Sequence, residues 1–87
     1  MHPQLTHLTE QALAQIEPLA AQGWAPAESM LHQLRWCLSF ARGEKTEPRP
    51  GPFSMGLIAT REFDMYGDQP ELSRLINQIQ REVESAV

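Results

Sequence analysis

The 87-residue chain has very little of what covalent or membrane anchoring requires. It contains a single cysteine, Cys37, so it cannot form an intramolecular disulfide. Cys37 has no second cysteine at CxxC spacing and no Cys/His cluster, so nothing supports a zinc site. No apolar run approaches the ~20 residues needed to span a bilayer, and the first residues lack the basic and apolar regions of a signal peptide. These absences predict a soluble protein of a reducing compartment, the cytoplasm.

The sequence also lacks the motifs of nucleotide-binding and catalytic sites. It contains no GxGxxG, no GxxxxGK[ST] and no nucleophile-elbow context around its serines. Its seven basic residues are scattered and the net charge is −4, whereas a nucleic-acid-binding protein needs a basic face. The histidines have no acid or thiol partners at metal-ligand spacing, and His2 is expected in a frayed end. We therefore expect one domain, residues 1–87, that is not an enzyme and needs no cofactor.

No segment alternates apolar and polar residues as a half-buried strand does, and four segments instead follow the helical period. We expect helices over residues 6–22, 26–42 and 53–63, with Gly23 and Gly43 ending the first two, and a last helix that has Pro70 in its first turn and an apolar period running to Ala86. Asp68 is the predicted cap of the last helix, in which Leu75 and Ile79 should be core residues. The prediction is an all-α fold, a small antiparallel four-helix bundle.

The second helix is predicted to be apolar on two sides. Its predicted core stripe is Ala27, Met30, Leu31, Leu34, Leu38 and Ala41. With Leu31 and Leu38 on that stripe, Gln33, Trp36 and Phe40 lie on roughly the opposite face. Trp36 and Phe40 are one turn apart and should touch. Either another helix covers these aromatic side chains, or they form a hot spot for a partner.

An acidic segment, residues 62–68, is the strongest candidate for a functional surface. No basic residue lies between Glu62 and Glu71, and an exposed turn is expected there. Acids at positions 68 and 71 are also explained by helix capping, but capping does not require the rest. Catalysis by paired carboxylates needs a cleft, which a bundle turn does not offer. The predicted contacts with a basic partner are Glu62, Asp64, Met65, Tyr66 and Asp68, with Trp36 and Phe40 as further candidates.

The same region carries a family resemblance. Residues 55–63 read MGLIATREF; Asp64 follows, and after a short turn comes Gln69-Pro70-Glu71-Leu72-Ser73. This resembles a family of small helical immunity proteins that protect bacteria from their own type VI secretion effectors. The family pattern is approximately leucine-glycine-x-isoleucine-alanine-x-basic-glutamate-phenylalanine-acid, then acid-proline-glutamate-leucine. Met55 stands where leucine is usual, and Gln69 where the second acid is usual. Gln33-Leu34-Arg35 falls where relatives carry a similar turn of helix.

The resemblance implies a function that the composition does not. Such proteins bind the toxin domain of a cognate effector and block its active site. The best-known toxin of this family hydrolyses NAD(P)⁺, and toxins at related loci include a nucleotide pyrophosphokinase resembling alarmone synthetases. Both chemistries use anionic nucleotides, so the blocked pocket should be basic and an acidic protein suits it. The implied partner is the toxin domain in a 1:1 complex, with no nucleic acid and no membrane. The competing hypothesis is a helical adaptor or homodimerisation module.

Overall fold

Four α-helices and one π-helical segment occur in the part of the chain that the structure describes. The computed structural model describes residues 2–44, 48, 51–65 and 67–86, and no strand occurs among them. Helix α3 is short and continues without interruption into the π-helical segment. The predicted all-α bundle is confirmed. The elements are α1 (Pro3–Ala21), α2 (Ala25–Ala41), α3 (Met55–Ala59), the π-helical segment (Thr60–Met65) and α4 (Pro70–Ala86).

Each helix packs against the next one in the chain, and α4 packs against α1, which closes the bundle. The first two helices end in glycines with positive φ, Gly23 and Gly43, as predicted. Ring contacts of Trp24 with Phe63 and of Trp36 with Phe53 set the direction of the third helical stretch. The start of α2 therefore lies beside the end of the π-helical segment, and the two run antiparallel. The bundle measures 34 × 22 × 22 Å.

The core comes from one face of each helix. In α2 the apolar spacing predicts most of that face, since Ala27, Met30, Leu34 and Ala41 are fully buried, but Leu31 and Leu38 are only half-buried. Gln33 is buried against the prediction, because its amide hydrogen-bonds to the start of α3, an interaction that apolar periodicity cannot register. In α4, Ile79 is fully buried as predicted, while Leu75 is half-buried at the edge of the core.

The third helix differs in type from the prediction of one α-helix over residues 53–63. The change to π geometry begins at Thr60, where the carbonyl oxygen of Gly56 accepts hydrogen bonds from two side chains. These donors are the Thr60 hydroxyl at 2.9 Å and the Asn77 amide at 3.1 Å. The Thr60 N–H also donates to this carbonyl, so the two side chains add to the helical hydrogen bond and do not replace it. Asp64 and Met65, for which a turn is predicted, lie with Glu62 in the π-helical segment.

Two further predictions are wrong, one about the start of α4 and one about the N-terminus of the chain. Helix α4 begins at Pro70, so Gln69 takes the cap position and its carbonyl accepts from Ser73 N–H at 3.2 Å. Asp68 lies one residue too early to be the cap. His2 is not frayed: its N–H donates to the Ala41 carbonyl at 2.7 Å and its ring stacks on Phe40.

No helix in the described part of the chain combines the length and apolarity needed to cross a membrane.

Candidate partner-binding site

Three buried or half-buried amide side chains hold α3 in place, and we call Gln33, Asn77 and Gln80 the amide clamp. Gln33 from α2 binds the start of α3. Its Oε1 accepts from the backbone N–H groups of Ser54 and Met55, both at 2.9 Å, and its Nε2 donates to Ser54 Oγ at 3.0 Å. The first N–H groups of a helix have no partner within the helix. Gln33 therefore acts as a cap supplied from another helix.

The other two members of the clamp reach α3 from α4. Gln80 Oε1 accepts from Gly56 N–H at 2.8 Å, and Asn77 Nδ2 donates to the Gly56 carbonyl at 3.1 Å. A Cβ at position 56 would lie 2.5 Å from Asn77 Oδ1, so that amide would have to shift. With glycine at position 56 both amides keep their bonds to the α3 backbone, and one face of α3 is fixed against the bundle.

The opposite side of α3 and the π-helical segment faces solvent and is partly apolar. Leu57 is 70% exposed and Met65 is 66% exposed, and they are the large hydrophobic side chains that stand out as exposed among the described residues. Arg61 lies one helical turn from each of them, and its side chain is also exposed. We call this surface, Leu57, Arg61, Asp64 and Met65, the exposed face. Large apolar side chains that a fold leaves in water mark candidate interaction sites.

The acidic side chains near this face differ in their exposure and in their ion pairing. Glu62 is half-buried, and its Oε2 already receives Arg61 Nε at 3.0 Å. Asp64 and Asp68 are exposed and make no hydrogen bond or ion pair with the residues that the structure describes. The unpaired negative charge therefore comes from Asp64 and Asp68, while much of the charge of Glu62 is balanced by Arg61.

The chain after the π-helical segment folds back tightly, which brings Asp68 to the same end of the bundle. Gln69 N–H donates to the Phe63 carbonyl at 2.9 Å. A Cβ on Gly67 would meet the Glu62 carbonyl oxygen at 2.5 Å, so this turn also needs a glycine. Tyr66, the remaining predicted contact of the acidic segment, lies outside the described residues.

Trp36 and Phe40 do not join this surface. Their rings stack on each other with centroids 5.6 Å apart; Phe40 also stacks on His2, and Trp36 meets Phe53. Both side chains are half-buried against the core. The end of the π-helical segment lies beside Trp24, and Trp36 is twelve residues further along α2, or about 18 Å. The predicted contact between the two rings is confirmed, and neighbouring rings cover them in large part.

The Cys37 thiol and the possible metal ligands are the remaining groups that could carry chemistry. Burial raises the pKa of the Cys37 thiol to about 12, so it stays protonated and weakly nucleophilic at neutral pH. Among the described residues, no group of three or more His, Cys, Asp or Glu side chains could hold a metal ion.

Sequence reasoning missed Leu57 as a surface residue. The signal was present, because positions 55, 59 and 63 form the buried stripe of this stretch and Leu57 falls between them on the outer side. A leucine at an outer position of a short helix, next to an acidic segment, was the available indication.

Comparison with known proteins finds no matching family model, no matching curated protein and no matching solved structure.

Proposed function

We propose that this chain is an immunity protein that binds the toxin domain of a type VI secretion effector and covers its nucleotide-binding site. It would act in the cytoplasm of the producing cell, without enzymatic activity of its own. The observation that carries the proposal is the exposed face: Leu57 and Met65 in water, beside unpaired carboxylates at Asp64 and Asp68. Apolar area surrounded by negative charge suits the mouth of a pocket that binds anionic nucleotides.

The amide clamp supports this proposal energetically. Ordering a loop or side chains at an interface costs affinity, and a surface that is already fixed in its bound shape avoids that cost. Gln33, Asn77 and Gln80 hold the buried side of α3 through hydrogen bonds of 2.8–3.1 Å. The π-helical segment supports it as well, since such segments occur frequently at functional sites.

The test starts from the gene beside this one, which the proposal expects to encode an effector with a toxin domain. The chain should form a 1:1 complex with it and protect cells that express it. A variant that combines Asp64→Lys, Met65→Ala and Tyr66→Ala should stay folded, lose protection and bind at least ~100-fold more weakly, since central interface residues can each contribute 2 kcal/mol or more.

Glu44→Lys supplies the matched control, because Glu44 is an exposed acid at the opposite end of α2. It should protect like the unaltered chain. Full protection by the triple variant would rule out this surface, and failure of the unaltered chain to bind the toxin domain would rule out the function.

The alternative function, a homodimerisation module, is favoured by the same pair of exposed side chains, Leu57 and Met65. In a dimer, each copy would shield the Leu57 and Met65 side chains of the other from water. Light scattering separates the two functions: a tight dimer that Leu57→Lys converts to a monomer favours the module, whereas a monomer favours the immunity protein.

A further inference from the structure

A groove of about 770 Å³ lies between α1 and the start of α4. Its apolar lining includes Ala14 from α1 and Leu72 and Leu75 from α4. Leu72 is buried, Leu75 is half-buried and Ala14 is exposed, so the groove has an apolar base and an open mouth. The groove is open to solvent, and no residue of the described chain fills it.

The charge of the groove has one sign. Asp68 and Glu71 line it, and no basic side chain of the described residues does. The N-terminal end of α4 adds a partial positive charge of about +0.5, which is smaller than the two full negative charges. The groove is therefore negative overall and favours a cationic group.

The uncharged polar groups make the match more specific. Gln11 and Gln15 lie one turn apart on the α1 side of the groove, and their amide oxygens can accept hydrogen bonds. A guanidinium group donates up to five hydrogen bonds in one plane and pairs with carboxylates in bidentate fashion. The methylene stem of arginine packs well on apolar surface. Acceptors on both sides of an apolar base match arginine better than lysine.

We propose that the groove receives an arginine side chain carried by a loop of the toxin domain. The identity of this occupant rests on the proposed function. The groove adjoins the end of the π-helical segment, because Gln69 lines the groove and its N–H donates to the Phe63 carbonyl, next to Asp64 and Met65 in the chain. A partner on the exposed face is thus within reach of the groove, and the groove selects partners with an arginine at that place.

The chemistry of the groove can be tested without the toxin. The full chain, labelled with ¹⁵N, is titrated with acetyl-Gly-Arg-Gly-amide and with the uncharged isostere in which citrulline replaces arginine. The arginine peptide should shift the side-chain amide signals of Gln11 and Gln15 with a Kd on the order of millimolar, and the citrulline peptide should not. Glu71→Gln should weaken binding about three- to fivefold, the upper range for an exposed ion pair, and Ala14→Phe should fill the groove and abolish it.

Glu44→Gln removes the same charge far from the groove and should leave the affinity for the peptide unchanged. Equal shifts with citrulline, or an equal loss with Glu44→Gln, would overturn the proposed chemistry.

The occupant is tested with the toxin domain itself. Ala14→Phe should weaken the complex at least about tenfold, because the phenylalanine ring fills the groove and excludes the arginine side chain. An unchanged affinity would overturn the occupant while leaving the proposed function intact. Failure of the unaltered chain to bind the toxin would overturn the function and, with it, the occupant, whatever the peptide result.

Discussion

The buried side chain of Gln33 decides how α3 begins. Its oxygen accepts two backbone N–H groups that the short helix itself cannot satisfy. Gln33 is 7% exposed, and burial of an amide is tolerated when its hydrogen bonds are made. The sequence shows Gln33 only as a polar residue within an apolar helix. The burial of Gln33 could not be predicted, because its hydrogen-bond partners lie 21 and 22 residues further along the chain.

We expect Gln33→Leu to lower the free energy of unfolding by about 1–3 kcal/mol, the cost of a buried donor without a partner. Met55 N–H is the donor left in this state, since Met55 is fully buried. Urea denaturation followed by circular dichroism measures the effect. Gln22→Leu, at an exposed position, should change stability by less than about 0.5 kcal/mol. Equal losses for the two variants would contradict the capping role of Gln33.

At the scale of elements, α1, α2 and α4 were predictable and α3 only in part. The long helices have continuous apolar periodicity and the expected glycine stops at Gly23 and Gly43. The third stretch changes to π geometry at Thr60, next to the hydrogen bond that Asn77, on α4, donates to the Gly56 carbonyl. A sequence window that contains only this stretch holds no information about that donor. The cap of α4 was assigned one residue too early, since Gln69 precedes Pro70.

Helix α4 offers a matched pair of positions one turn apart. Ile79→Ala should cost about 2–5 kcal/mol, since Ile79 is fully buried and the substitution leaves a cavity. Leu75→Ala should cost less, because Leu75 is half-buried beside the open groove and its site loses less contact. Denaturant midpoints of the two variants give the comparison. A larger loss for Leu75→Ala than for Ile79→Ala would mean that the packing of α4 is assigned wrongly.

At the scale of the whole molecule, the sequence predicted the exposure of the acidic segment but not which other residues share its surface. Asp64, Met65 and Asp68 are exposed at one end of the bundle, as the acidic segment suggested. Leu57 completes the surface from an earlier turn, and the groove draws on α1, more than fifty residues before Asp68. Trp36 is set apart by the length of α2. Local pattern indicates which residues are polar, but only the packing of helices shows which of them share a surface.

The net charge of −4 leads to a prediction for the kinetics of binding. Association with the toxin domain should slow about tenfold between 0.05 and 0.5 M salt, because screening weakens electrostatic steering. Stopped-flow measurements of the association rate constant test this. Replacing Asp64 and Asp68 together by asparagine should flatten the salt dependence, whereas Glu44→Gln should have a smaller effect. A rate independent of salt would show that charge does not guide the encounter.

The amide clamp also determines the order in which the helices become stable during folding. A five-residue helix cannot nucleate by itself, and the bonds that hold α3 connect it to residues 21–24 positions away. Both α2 and α4 must therefore be in place before α3 becomes stable, and we expect Asn77→Ala to speed unfolding while leaving the folding rate nearly unchanged. Since α4 is synthesised after α3, a nascent chain that lacks α4 has no stable α3. Under the proposed function, protection would begin only once α4 has been made.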